Sequence, residues 1–155
     1  MTTALCPGSF DPPTNGHVDV IERVIAVFDD IVVAVVDNPS KESLFSTEER
    51  MSLLKELFGD RARIGSFSGL LVEYAAEVGA DVVIKGLRTV DDYEYEMQMA
   101  QMNRHLSGME TVFMATKSDW SFISSSLVKE VARLGGSISG LVPGVVEQAL
   151  RERLS

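Results

Sequence analysis

The residues of this chain best equipped for chemistry are hydrogen-bond donors. His17 closes the stretch Pro7-Gly8-Ser9-Phe10-Asp11-Pro12-Pro13-Thr14-Asn15-Gly16-His17, which the short apolar run Ala4-Leu5-Cys6 enters and a helical pattern leaves from near His17. Two glycines let such a loop bend closely around a ligand, and prolines stiffen it. The new helix points free N–H groups and the positive end of its dipole at the same place, which makes a seat for phosphate. An imidazole there can donate to an oxygen on which charge is growing, though a histidine at a helix start can equally be a polar cap. Ser9, Lys41, Lys85, Arg88 and Ser124-Ser125-Ser126 are further donors, and few bases accompany them.

The order of elements brings these donors together. Val20, Ile21, Val24 and Phe28 recur at helical spacing, and Ile31 to Val36 is a continuous, mostly β-branched run that fits a strand buried on both faces. Ser46-Thr47-Glu48-Glu49 is a capping-box pattern opening a helix that stops at Gly59. Residues 63–67 form a weaker strand candidate, Leu71 to Val78 a helix ended by Gly79, and residues 82–84 a better strand. Residues 112–115 complete the set, before helices over 127–134 and after Pro143. The alternation predicts an α/β domain with a Rossmann-like open parallel five-stranded sheet and helices on both faces. In such sheets ligands sit beyond the strands' carboxyl ends, where Ser9, Lys41, Lys85 and Arg88 are all expected.

Asp91 to His105 carries two apolar stripes, Tyr93, Met97 and Ala100 on one side, Tyr95, Met99, Met102 and Leu106 on nearly the other. One stripe can face the core. The second predicts a homo-oligomer, with a helix sandwiched inside its own domain as the alternative.

The composition bounds the rest. At 155 residues and 45% hydrophobic, the chain reads as one domain over 1–155. Fourteen basic against 23 acidic residues leave a net charge of -9, which opposes nucleic acid and anionic membranes, so an anionic ligand needs a local cationic cluster. Cys6 alone makes no internal disulfide, and no window approaches the roughly 20 apolar residues that span a bilayer. A reducing, cytoplasmic compartment is the expectation. The P-loop and three-glycine dinucleotide patterns are absent, no histidine or cysteine cluster suggests zinc, and Ser9 lacks the flanks of a hydrolase nucleophile.

Thr14-Asn15-Gly16-His17 resembles the T/H-x-G-H signature of the nucleotidylyltransferases, and residues 123–126 resemble their second signature. Within that superfamily, residues 7–12, Lys85-Gly86-Leu87-Arg88, residues 92–100 and Trp120 to Val131 resemble the bacterial phosphopantetheine adenylyltransferase family. The resemblance implies ATP and 4′-phosphopantetheine as substrates, dephospho-coenzyme A and pyrophosphate as products, and direct in-line attack without a covalent enzyme intermediate. It further implies that His17 stabilises the α-phosphate, with Ser9 and Lys41 as its catalytic partners. Ser9, Lys41, Leu71 and Lys85 match contacts to phosphopantetheine. Ser9, Phe10, His17, Gly86, Leu87, Arg88, Glu96 and the run Trp120, Ser121, Phe122, Ile123, Ser124, Ser125 and Ser126 match contacts to ATP. Lys85 stands where arginine is common, and lysine lacks arginine's two-pronged grip on phosphate. No protein metal site is implied; Mg2+ is expected mainly on the ATP phosphates. A homohexamer and feedback by coenzyme A also follow from the resemblance. A sister nucleotidyltransferase with another acceptor, or a non-catalytic nucleotide sensor, stays open at this level.

Overall fold

In the computed structural model, which describes all 155 residues, the run from Ile31 lies second in a five-stranded, wholly parallel sheet. The strands are β1 (Thr3–Gly8), β2 (Asp30–Val36), β3 (Arg63–Phe67), β4 (Val82–Leu87) and β5 (Glu110–Ala115), in the order β3-β2-β1-β4-β5. The helices are α1 (Asn15–Val27), α2 (Thr47–Phe58), α3 (Leu71–Val78), α4 (Val90–Ser107), α5 (Ser125–Arg133) and α6 (Gly144–Leu154). None is long and apolar enough to cross a membrane.

Side chains alternate across a strand, so a run buried on both faces needs a cover on each. Ala4, Cys6, Ile31, Val33 and Val35 pack on one face against Val20, Ile21 and Val24 of α1 and Leu54 and Phe58 of α2. Leu5, Val32, Ala34 and Val83 point the other way, toward Ala75 of α3. A third apolar cluster joins Phe45 and Leu53 to Ile123 and Val128, and to Val146 and Leu150 of α6. Neighbouring Leu53 and Leu54 thus send α2 into two different cores.

The chain leaves β1 toward β2 and β3, then returns to place β4 on the other side of β1. At this reversal β1 and β4 pair only at Ala4–Val82 and Leu5–Val83, whereas β1 stays paired with β2 out to Gly8–Val35. Beyond Leu5 the sheet splits and leaves a crevice.

Three differences from the pattern reading bear on the ligand side of the sheet. Thr14 caps α1, so the helix starts at Asn15 and His17 is its third residue. Ser124 caps α5, which starts at Ser125. Lys85 lies inside β4 instead of past its end, and reaches the ligand side because β1 has already diverged there. In α4 the inner side is thinly apolar: Asn103 is the buried residue, Met97 and Ala100 are half-buried, and Tyr93 is 46% exposed. The outer stripe of Tyr95, Met99, Met102 and Leu106 is exposed.

Truncating Leu54, fully buried between α2 and the sheet, removes packing that its neighbours cannot refill. Leu54→Ala is expected to cost about 2–5 kcal/mol in urea unfolding. Leu134→Ala, at a largely exposed position, should stay within about 0.5 kcal/mol.

Candidate active site

The crevice between β1 and β4 widens into a cleft of about 370 Å³ lined by the starts of both α1 and α5. The entry to α1 is a reciprocal capping pair. The Thr14 hydroxyl accepts the His17 backbone N–H at 3.4 Å, and Nδ1 of His17 accepts the Thr14 backbone N–H at 3.0 Å. A backbone N–H can only donate, so Nδ1 carries no proton and the neutral ring keeps its hydrogen on Nε2. Nε2 has no partner in the protein, and His17 lines the cleft.

Burial, then the charges of Arg88 and Lys85, push the His17 pKa down from 6.5 to about 4. The ring is therefore a neutral donor at physiological pH. The shift contributes nothing to stability above pH 6.5. Below it the unfolded chain takes up a proton that the fold refuses, so stability falls as pH drops from about 6.5 toward 4.

Phe10 holds the loop shape. Its backbone is left-handed at φ 49°, and its ring is buried edge-on to His17 with centroids 5.0 Å apart. A Cβ at Gly8 would meet that ring at 3.0 Å, so any larger residue at position 8 would press on Phe10 and the ring would have to give by a few tenths of an ångström. The ring is thus committed to the core, and what Phe10 can offer a ligand is its main chain.

The cations of the cleft are already held by acids. Lys85 Nζ lies 3.2 Å from Glu96, and Arg88 Nε lies 3.2 Å from Asp92. Arg88 also donates to the Ile123 carbonyl at 3.0 Å, which ties the end of β4 to the segment before α5. Asp92 and Glu96 stand one turn apart on α4, so that helix sets both pairs. The carboxylates keep both cations oriented at the cleft.

The three serines divide their work. Ser124 Oγ accepts the Leu127 N–H, which leaves its own hydrogen free to donate. Ser125 Oγ donates at 2.7 Å to the Pro12 carbonyl, so its hydroxyl hydrogen is spent binding α5 to the phosphate-seat loop. Ser126 has no hydroxyl partner within the protein and lines the cleft. First-turn N–H groups of α5 add the donors a helix start offers an anion.

Of the residues singled out from sequence, Ser9, Phe10, His17, Lys85, Gly86, Arg88, Glu96 and Ile123 to Ser126 converge on this cleft. Lys41 does not line it; it stands exposed on the loop after β2. Leu71 opens α3 beyond the end of β3, and Leu87 ends β4 with its carbonyl bound to Thr116 N–H. Trp120 packs against the third core cluster, and Ser121 and Phe122 lie outside the cleft, Phe122 largely exposed. Pattern reading missed Asp92 and Thr116 as lining residues. The spacing of Arg88 and Asp92, four apart across the entry to α4, was the available signal for the first.

The cytidylyltransferase-like family model matches residues 5–131, which take in both helix starts, β2 to β5 and most of β1. A phosphopantetheine adenylyltransferase of a Nocardioides species is 52% identical, covering 100% of this chain and 99% of its own. Another, from Geotalea daltonii, is 55% identical over 97% of this chain and 95% of its own. Among solved structures, a nicotinate-nucleotide adenylyltransferase candidate from Vibrio parahaemolyticus aligns over 97% of this chain with a TM-score of 0.64 at 16% identity. The lipopolysaccharide core biosynthesis protein of Thermoplasma volcanium covers 76% of this chain at 0.56 and 22%. At such identities these two similarities speak for the fold alone.

The capping geometry fixes an expected titration. By NMR on the ligand-free protein, the His17 ring should stay neutral down to about pH 5 and carry its proton on Nε2. A titration midpoint near the ordinary 6.5 would contradict the geometry.

Proposed function

The chain belongs to the cytidylyltransferase-like family and, within it, to the phosphopantetheine adenylyltransferases, and from that membership we infer how its cleft works. The protein is a nucleotidyltransferase that moves the adenylyl group of ATP onto 4′-phosphopantetheine, giving dephospho-coenzyme A and pyrophosphate in coenzyme A biosynthesis.

The observation that carries the mechanism is the fixed, neutral Nε2–H of His17 in a cleft of donors. A phosphate oxygen of the acceptor is already anionic at neutral pH, so no general base is needed. That oxygen attacks the α-phosphorus in line, the bond to the bridging oxygen breaks, and the electron pair leaves with pyrophosphate. The protein's part is alignment and stabilisation of charge on the α-phosphate. His17 donates to that phosphate from Nε2, and a neutral imidazole does so without giving up its proton. Ser9 orients the acceptor phosphate, Lys85 and Lys41 hold it, and Leu71 meets the pantetheine arm through its backbone. Lys41 reaches the phosphate from its loop once the substrate is bound.

The nucleotide lies along Gly86, Leu87 and Arg88, with Glu96 and the segment Trp120 to Ser126 around it. Arg88 exchanges Asp92 for phosphate oxygens. Phe10 and Ser125 serve through their main chains, in keeping with the spent ring and hydroxyl. No cluster of three metal-type side chains exists, and Asp92 and Glu96 are engaged by Arg88 and Lys85. This fits Mg2+ carried by the triphosphate and water, where it would neutralise charge on the phosphates.

Tyr95, Met99, Met102 and Leu106 are exposed on α4, a helix that packs on the edge strand β5, whose Val112 is 45% exposed. An apolar surface of this kind supports a homo-oligomer, and we assign a hexamer. Coenzyme A shares the pantetheine arm and the adenylyl group of the product, so it competes for the same cleft as a feedback inhibitor. The cytoplasm is the compartment, in line with a single buried thiol, Cys6.

Pyrophosphate release with ATP should require 4′-phosphopantetheine and fail with nicotinate mononucleotide; the reverse result would overturn the acceptor assignment. His17→Ala should lower kcat by roughly 100-fold or more while ATP affinity changes much less, because the lost bond forms chiefly in the transition state. In solution the parent should have six times the mass of one chain, and Met102→Glu should lower it. A parent that runs as a monomer would refute the role of α4.

A further inference from the structure

Asp11 sits in the phosphate-seat loop, yet the chemistry above gives it nothing to do. Its side chain is nearly buried, at 4% exposure. One oxygen accepts the Phe45 N–H at 2.9 Å; the other accepts the Leu44 N–H at 3.0 Å and Lys129 Nζ at 2.9 Å. Burial alone would raise this carboxyl's pKa, but the bonds from Phe45, Lys129 and Leu44 outweigh it and hold the group below the usual range. The charged form is therefore the structural one, and charge-assisted bonds of this kind are stronger than neutral ones.

The partners are informative. Leu44 lies three residues after Lys41, at the end of the loop 37–43 that follows β2. The Leu44 carbonyl accepts from Arg153 of α6 at 2.7 Å, and the same guanidinium lies over the Phe45 ring, so this point of the chain is gripped from two sides. The other end of the loop is tied as well. Buried Arg50 donates to the Val36 carbonyl at 3.3 Å and to the Ser9 carbonyl at 2.9 Å, which joins the end of β2 to the same phosphate-seat loop. Both ends of the Lys41 loop are thus fastened to the segment Ser9 to Asp11.

A buried ion pair is a poor device for stability alone, since an apolar pair of similar volume often does as well. What a carboxylate adds is direction: two backbone N–H groups and one ammonium must converge on it. We propose that Asp11 is a positioning residue for the reaction, which holds the Lys41 loop in register with Ser9 and His17 so that Lys41 meets the acceptor phosphate.

This inference rests on the role given to Lys41, and a double-mutant cycle separates the two. Steady-state kinetics would compare the parent, Asp11→Asn, Lys41→Ala and the double variant, with thermal unfolding run in parallel. Asp11→Asn is expected to lower kcat/KM for phosphopantetheine by about 10-fold or more, while the Kd for ATP shifts by less than about 3-fold. In the Lys41→Ala background the same substitution should change kcat/KM by no more than about 2-fold, because its target is gone. Independent, fully multiplying effects would overturn the inference while leaving Lys41 in its role, as would a parent-like Asp11→Asn. A parent-like Lys41→Ala would overturn the reading of Lys41 and this route with it. Should Asp11→Asn fail to fold, Asp11→Asn/Lys129→Met, which strands no buried ammonium, goes through the same cycle with the same expectations.

Discussion

The pair of hydrogen bonds between Thr14 and His17 is the constraint on which the site depends. In an ordinary capping box the third helical residue is Glu or Gln, and its only task is to accept a backbone N–H. With histidine there, the same acceptor bond also chooses a tautomer. One interaction therefore starts α1, satisfies an orphan N–H, and turns the far side of the ring into a donor. The bond that makes His17 a structural cap is the same one that leaves its Nε2–H free to donate.

Around this donor the protein builds a positive place in an acidic molecule. The net charge of -9 offers no general attraction to ATP or phosphopantetheine. Positive charge is concentrated locally instead, with Lys85, Arg88 and two helix starts brought together where β1 and β4 part. Asp92 and Glu96 pair with the two cations, which spares the fold from unpaired charges at close range. Burial first, and then those same cations, lower the pKa of His17, so the charges that line the cleft also help keep its ring neutral.

Much of this was legible in the chain because its signals are local. Ser46-Thr47-Glu48-Glu49 read as a capping box and forms one; Gly59 and Gly79 end helices as their positions suggested. The run from Ile31 read as doubly buried and is. The site was less legible, for reasons that particular residues show. Asp92 is not singled out as a site residue from the sequence, and the structure sets it against Arg88. Ser124, Ser125 and Ser126 read alike, yet one caps, one ties α5 to Pro12 and one is left free, a difference set by a carbonyl 113 positions away. Phe10 reads as a contact residue, and only its left-handed backbone and the space over Gly8 show that its ring belongs to the core.

By itself, then, the amino-acid sequence determined the alternation of strands and helices, the parallel sheet, and the loop whose glycines, prolines and histidine could seat a phosphate, since all of these follow from periodicity and from bonds between near neighbours. The tertiary structure alone decided which donors remain free. That outcome depends on long-range partners: Ile123 for Arg88, Pro12 for Ser125, and Leu44, Phe45 and Lys129 for Asp11. It also depends on where β1 and β4 separate, which two strands decide together and neither encodes alone. A hydrogen-bonding group can be read from its type, but whether its hydrogen is available depends on what the rest of the fold has already bound.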